Sequence, residues 1–226
     1  MKVSVIYPIC GLPPADPNGF PHPFLLNSLD SITKAGSTDF EILIGVDGNR
    51  PWVLAFLRYW ASLRGLGPDK VKIFTLDFTG TYGNRQRNRL MQLATGDYIS
   101  FLDHDDAYVP GAFDAIRQVA YEHPGRPILF RMNVYQFGSI HKPTPVPVTL
   151  WRPECLGQIA VGQVGGHIFV VPNRQHLLST WPTSLYEADY HFIRNTIDNF
   201  REQSIEPVWV DFVLSEVRPW AGWWQG

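Results

Sequence analysis

Hydrophobic positions in the first half of the chain alternate between two patterns. Val3–Ile9 is a compact apolar run, as in a strand buried on both faces. Phe24–Ala35 places Leu25, Leu26, Leu29 and Ile32 at helical spacing, and Gly36 ends it. Glu41–Val46 is a second buried run, closed by Asp47-Gly48-Asn49, and Pro51 opens a helix through Trp52–Arg64. Lys72–Leu76 predicts a third strand, Asn84–Ala94 a helix and Tyr98–Leu102 a fourth strand; Pro110 then starts a helix reaching about Tyr121. Strict alternation of this kind implies right-handed crossovers and a mostly parallel sheet with helices on both faces. Ligands of such sheets sit beyond the carboxyl ends of the strands. Those ends are Ile9–Gly11, Asp47–Asn49, Asp77–Asn84 and Asp103–Asp106.

The second half is less regular. Ile128–Gln136 reads as a strand, and the Pro-rich KPTPVPV that follows suits an edge strand or extended loop. Gly157–Gly166 is glycine-rich, and Gly162, Gly165 and Gly166 are candidate hinges of a loop, or ordinary turns. His167–Val171 reads as a strand and Glu187–Ile197 as a helix. With no linker, repeat or composition break, residues 1–226 are expected to form one domain.

Charge narrows the possibilities. The 226 residues carry 19 Lys plus Arg against 21 Asp plus Glu, a formal net charge of -2, which excludes a polybasic binder and an acidic disordered tail. Arginine supplies 14 of the 19 cations, a bias that suits bidentate contacts to phosphate or carboxylate. The two cysteines, Cys10 and Cys155, lie in no metal-ligand spacing, and a reducing compartment fits them best. No apolar run approaches the ~20 residues of a membrane helix, so a soluble, cytoplasmic protein is expected.

The most informative segment is Phe101-Leu102-Asp103-His104-Asp105-Asp106, a buried strand running out into three carboxylates. Extended backbone would point Asp103 and Asp105 one way and Asp106 the other. Carboxylates so close repel unless a cation neutralises them, and a hard divalent ion held by oxygen ligands would do so. The alternative is a solvated acidic turn before the next helix. His104 is expected at the surface, pointing away from such a metal. Asp47 ends its strand at the same sheet edge, where it suits either a ligand contact or an Asp-Gly turn. On its helix Arg87 shares a stripe with Leu90 and Ala94 and leans toward the sheet, whereas Arg85 and Arg89 take a more exposed face. Arg87 can therefore reach a phosphate at the edge, pair with a nearby aspartate, or do both.

The segments VSVIYPIC, FEILIGVDGN, RNRLMQLATGDYISFLDHDD and YEADYHFIR, in this order, resemble family 2 glycosyltransferases with the GT-A fold. The resemblance is dense in the first half and thin in the second. It implies a Rossmann-like nucleotide-sugar-binding half, 1–121, and a less regular half carrying the acceptor site and catalytic base, 122–226. It also implies a nucleoside-diphosphate sugar donor, a UDP-sugar favoured, an Mn2+ or Mg2+ cofactor, and inverting transfer to an acceptor hydroxyl. By this resemblance Asp47 contacts the nucleobase, Pro8 and Ile9 contribute through their backbone, and Arg87 and Asn88 line the nucleotide pocket. Asp103 lies near the ribose, beside His104, and Asp105 with Asp103 holds the metal. Asp189 is the implied general base, with Glu187 as its rival because Ala188 interrupts the family's usual adjacent acids. Without the resemblance, Asp189 reads as a helix N-terminal acid.

Other classes remain open at this level. A sugar nucleotidyltransferase would also use metal and carboxylates, but Gly11-Leu12-Pro13-Pro14 lacks the expected Gly-rich basic loop. A non-catalytic nucleotide-sugar or glycan-binding module is the other alternative. Trp220, Trp223 and Trp224 suit packing of the tail or stacking on a sugar. His167 and His191 are expected in the core or at the surface, with a place facing the acceptor as the alternative.

Overall fold

A computed structural model describes residues 1–10, 23–36, 39–77, 80–135, 147–150 and 159–219. The elements run β1 (Val3–Ile9), α1 (Pro23–Lys34), β2 (Phe40–Asp47), α2 (Pro51–Leu63), β3 (Val71–Leu76), α3 (Asn84–Met91), β4 (Tyr98–Phe101), β5 (Ala107–Tyr108), α4 (Ala112–Glu122), β6 (Ile128–Tyr135), β7 (Pro147–Leu150), β8 (Phe169–Pro172), α5 (Ala188–Glu202) and β9 (Val208–Val217). The strands form a sheet ordered β3-β2-β1-β4-β8-β6-β9-β5, with β7 paired to β6. The expected α/β architecture is present, helices surrounding a curled sheet. Its first four strands are parallel neighbours.

Every residue of β1 and β2 is buried, which is why both read as unbroken apolar runs. Of the two acids among them, Asp47 ends β2, and Glu41, within the strand, is fully buried and satisfied. It accepts hydrogen bonds from Ser4, from the Thr95 amide and hydroxyl, and from Lys72 at 2.7 Å. Burial would raise this carboxyl, but those partners hold it down at about 2. Two helix groups cover the sheet. Trp60 of α2 donates to Asp30 of α1 at 2.9 Å, and the Phe113 amide of α4 donates to the Ala35 carbonyl just beyond α1. Elsewhere, α3 and α5 meet through Trp181, whose ring stacks on Phe192 at 4.4 Å.

Several expectations shift in detail. On α1, Leu26 is exposed and Ser28 takes the buried place, its hydroxyl accepting from Tyr7 and donating to the Asp103 carbonyl. The stretch around KPTPVPV contributes the strand β7, paired with β6; residues 142–146 lie outside the described residues. So do Gly11, Cys155, Gly157 and the three late tryptophans. The largest departure is β9. No strand was expected after residue 197, yet this ten-residue strand pairs in parallel with β6 and antiparallel with β5. Among the described residues no helix is long and apolar enough to cross a membrane.

Candidate active site

A cleft of about 350 Å³ opens beyond the carboxyl ends of the central strands. Its walls come from Tyr82, Asn84 and Arg87 at the start of α3, the acidic turn after β4, Val161–His167, the entry to α5, and Val217–Arg218 at the end of β9.

The acidic turn is not extended. The Asp106 amide donates to the Asp103 carbonyl at 3.1 Å, closing a four-residue turn with His104 and Asp105 at its centre. That overturns the expected alternation, because a turn brings its first and last residues together. Asp103 and Asp106 therefore face one imidazole, His167, whose Nε2 lies 3.5 Å from Asp103 and 2.5 Å from Asp106. Among the described residues these three are the group whose donor atoms converge, all within 4.8 Å of one another. Asp105, expected to pair with Asp103, borders the cleft but faces Arg218, whose Nε stands 3.4 Å from Oδ2.

The electrostatics follow from burial and pairing. Burial would raise the Asp103 carboxyl, but the Arg87 guanidinium and then His167 hold it well below the usual range. Burial pushes Asp106 up despite His167. Burial would lower His167, yet Asp106 and Asp103 keep the imidazole well above its ordinary value and hence protonated at neutral pH. The imidazolium is thus the counter-charge that the two carboxylates share. Two carboxylates and an imidazole fit a divalent cation, whose binding would require the imidazole to give up its proton.

Arg87 pairs with Asp103, as its place on the helix stripe allowed. It also donates to the Tyr82 carbonyl at 2.9 Å and to Asn84 at 3.0 Å, and lies 4.8 Å over the Trp181 ring. Gly83 makes this possible. It caps α3 with φ +82, and a Cβ there would stand 3.0 Å from Pro8 and 3.2 Å from the Arg87 guanidinium.

Asp189 lies in the first turn of α5 and accepts the Gly166 amide at 3.0 Å. A side chain at Gly166 would meet Trp181 at 2.8 Å, so this glycine serves close approach rather than a hinge. Glu187, the residue before α5, also borders the cleft but is exposed.

The remaining expected contacts stand elsewhere. Asn88 does not line the cleft: its amide donates to the Trp181 carbonyl at 2.9 Å and accepts the Trp181 N–H at 2.7 Å. One helical step from Arg87 turns it by ~100°, toward the α5 layer. Pro8, Ile9 and Asp47 are buried at strand ends and do not line the cleft either. His104 is half-buried, off the cleft, with its ring 5.9 Å from that of Phe24. Burial pushes the Cys10 thiol up to about 12, leaving it inert. Sequence reasoning weighed His167 only as a core, surface or acceptor-facing histidine, not as a partner of the acidic turn, and did not single out Arg218. The glycine pair before His167 was the available signal for a close-packed turn, and nothing marked Arg218.

An α/β sheet whose carboxyl edge gathers an acidic turn, a buried arginine and a helix-borne carboxylate puts its charged groups where sheets of this class bind ligands. The chain belongs to glycosyl transferase family 2, whose model matches residues 20–153. No curated protein sequence matches it. Among solved structures it resembles S. aureus TarS (TM-score 0.69, 17% identity), covering 96% of this chain and 36% of that one. TarS 1-349 in complex with UDP-GlcNAc gives the same TM-score and identity, with 58% of that chain covered. The mannosyltransferase PcManGT from Pyrobaculum calidifontis, in complex with GDP-Man and Mn2+, matches at TM-score 0.59 and 15% identity, covering 95% of this chain and 56% of that one. These likenesses establish the fold. The chain spans between about a third and three-fifths of the length of these proteins.

Proposed function

We propose that the chain transfers a sugar from a nucleoside-diphosphate donor, a UDP-sugar favoured, to an acceptor hydroxyl with inversion at the anomeric carbon. Residues 1–121 would bind the donor and residues 122–226 would supply the acceptor site and base. The observation that carries this reading is a single cleft lined both by the acidic turn and by Asp189. Family membership and neighbours in complex with UDP-GlcNAc and with GDP-Man and Mn2+ support it.

Asp103, Asp106 and His167 would hold the divalent cation, with Asp105 at the cleft side of the turn completing the charge balance. Bound there, the ion would act as a Lewis acid on the diphosphate leaving group. Arg87, fixed by Asp103 and Trp181, contributes a buried positive charge to the same wall. Asp189, oriented by the Gly166 amide, takes the proton of the acceptor hydroxyl as that oxygen attacks. Direct attack inverts the sugar and needs no covalent intermediate. Asp47, Pro8 and Ile9 would meet the nucleobase beyond the cleft, at the ends of β1 and β2.

A panel of UDP- and GDP-sugars with MnCl2, read by thermal shift and by nucleotide release, tests the reading. Stabilisation by a nucleoside diphosphate that depends on manganese, together with turnover, is expected. Neither stabilisation nor release from any donor would remove it.

A further inference from the structure

Two arginines meet the acidic turn, and they are held in opposite ways. Arg87 is buried, tied to two further acceptors and stacked on Trp181. Arg218 arrives from the other end of the chain. The β5–β9 ladder sets Ala107 opposite Glu216 and Tyr108 opposite Ser215, which delivers the end of β9 to the turn. There the Arg218 main-chain N–H donates to Asp106 Oδ1 at 2.8 Å. Its φ is +52, an uncommon conformation for a residue other than glycine. The backbone is thus anchored, while the side chain, 49% exposed, lies along the cleft and reaches Asp105 through Nε at 3.4 Å.

We propose that Arg218 is an exchangeable counter-cation of the acidic turn: it neutralises Asp105 without metal, yields that carboxylate when a divalent ion enters, and then takes up the donor's diphosphate. This rests on the metal reading above. A divalent ion held by Asp103, Asp106 and His167 would repel the nearby guanidinium and draw on the charge of Asp105, the carboxylate it pairs with. The released fork matches phosphate oxygens bidentately, and the backbone bond to Asp106 keeps the side chain within the cleft as it moves. The arrangement has a signature that a purely structural arginine lacks, because the side chain opposes metal binding and favours nucleotide binding.

Titrating the full chain with MnCl2 alone, and then with UDP at saturating Mn2+, separates the two effects. Arg218→Gln retains the backbone N–H to Asp106. It should bind Mn2+ about threefold more tightly than the native chain and UDP about tenfold more weakly. Arg218→Lys keeps the charge and should leave Mn2+ affinity near native while still weakening UDP. A fall of both affinities in Arg218→Gln, or an unchanged Mn2+ affinity beside normal Mn2+ binding by the native chain, would overturn the exchange and leave the metal reading standing. Absence of Mn2+ binding in the native chain would remove the metal reading itself, and this proposal with it.

Discussion

Asp189 and Glu187 both border the cleft, but only one of them is held in place. Asp189 accepts the Gly166 amide, whereas Glu187 stands exposed with no side-chain capping bond. Asp189→Asn keeps an acceptor for that amide and loses the basicity. Transfer should therefore fall by about 10²-fold or more with UDP affinity retained. Glu187→Gln should transfer near the native rate; the reverse pattern, measured by product formation, would move the base to Glu187. His167 has a pH signature. Its imidazole is held protonated by Asp106 and Asp103, and a metal must displace that proton, so Mn2+ affinity should climb as pH rises above neutrality. His167→Gln should bind Mn2+ weakly with a flatter pH profile in the same titration. At this scale the acids were legible in the sequence, since three carboxylates after a buried strand stand out. Their partners were not. Closing residues 103–106 into a turn set Asp106, rather than the expected Asp105, beside Asp103.

The elements were legible where their pattern was local. Unbroken apolar runs became β1 and β2, and the arginines of α3 divide as the helical period required, Arg87 buried with Arg85 and Arg89 exposed. Strand β9 has β-rich composition after Pro207, but its residues are mostly half-buried rather than cleanly alternating. Its role comes from pairing with β5 and β6, which no local pattern records. One testable consequence at this scale concerns Glu41, the acid that joins β2 to Ser4 of β1, Thr95 and Lys72 of β3. Its folded carboxyl is depressed to about 2. Its contribution to stability is therefore present above the ordinary carboxylate range and lost as pH falls toward that value. Glu41→Gln should cost about 2 kcal/mol at neutral pH, and urea melts at decreasing pH should show native and variant converging. A difference independent of pH would mean that packing, not charge, accounts for the loss.

Over the whole molecule, the sequence by itself determined the class of fold, because alternating strand and helix patterns leave few ways to bury their apolar faces. It also pointed to the edge where the cleft forms, since parallel strands end at one edge, where Asp47 and the acidic turn lie and where the helix carrying Arg87 begins. The tertiary structure decided which side chains meet there. His167, Asp189 and Arg218 come from three separate segments after β7, and each reaches the cleft through a contact distant in sequence: His167 with Asp106, Asp189 with the Gly166 amide, Arg218 with Asp105. Asn88 was lost to the site in the same way, drawn to the Trp181 backbone. Apolar periodicity is imposed residue by residue along the chain and can be read there. The convergence of charged groups depends on sheet order, register and turn closure, which exist only once strands far apart in sequence have paired.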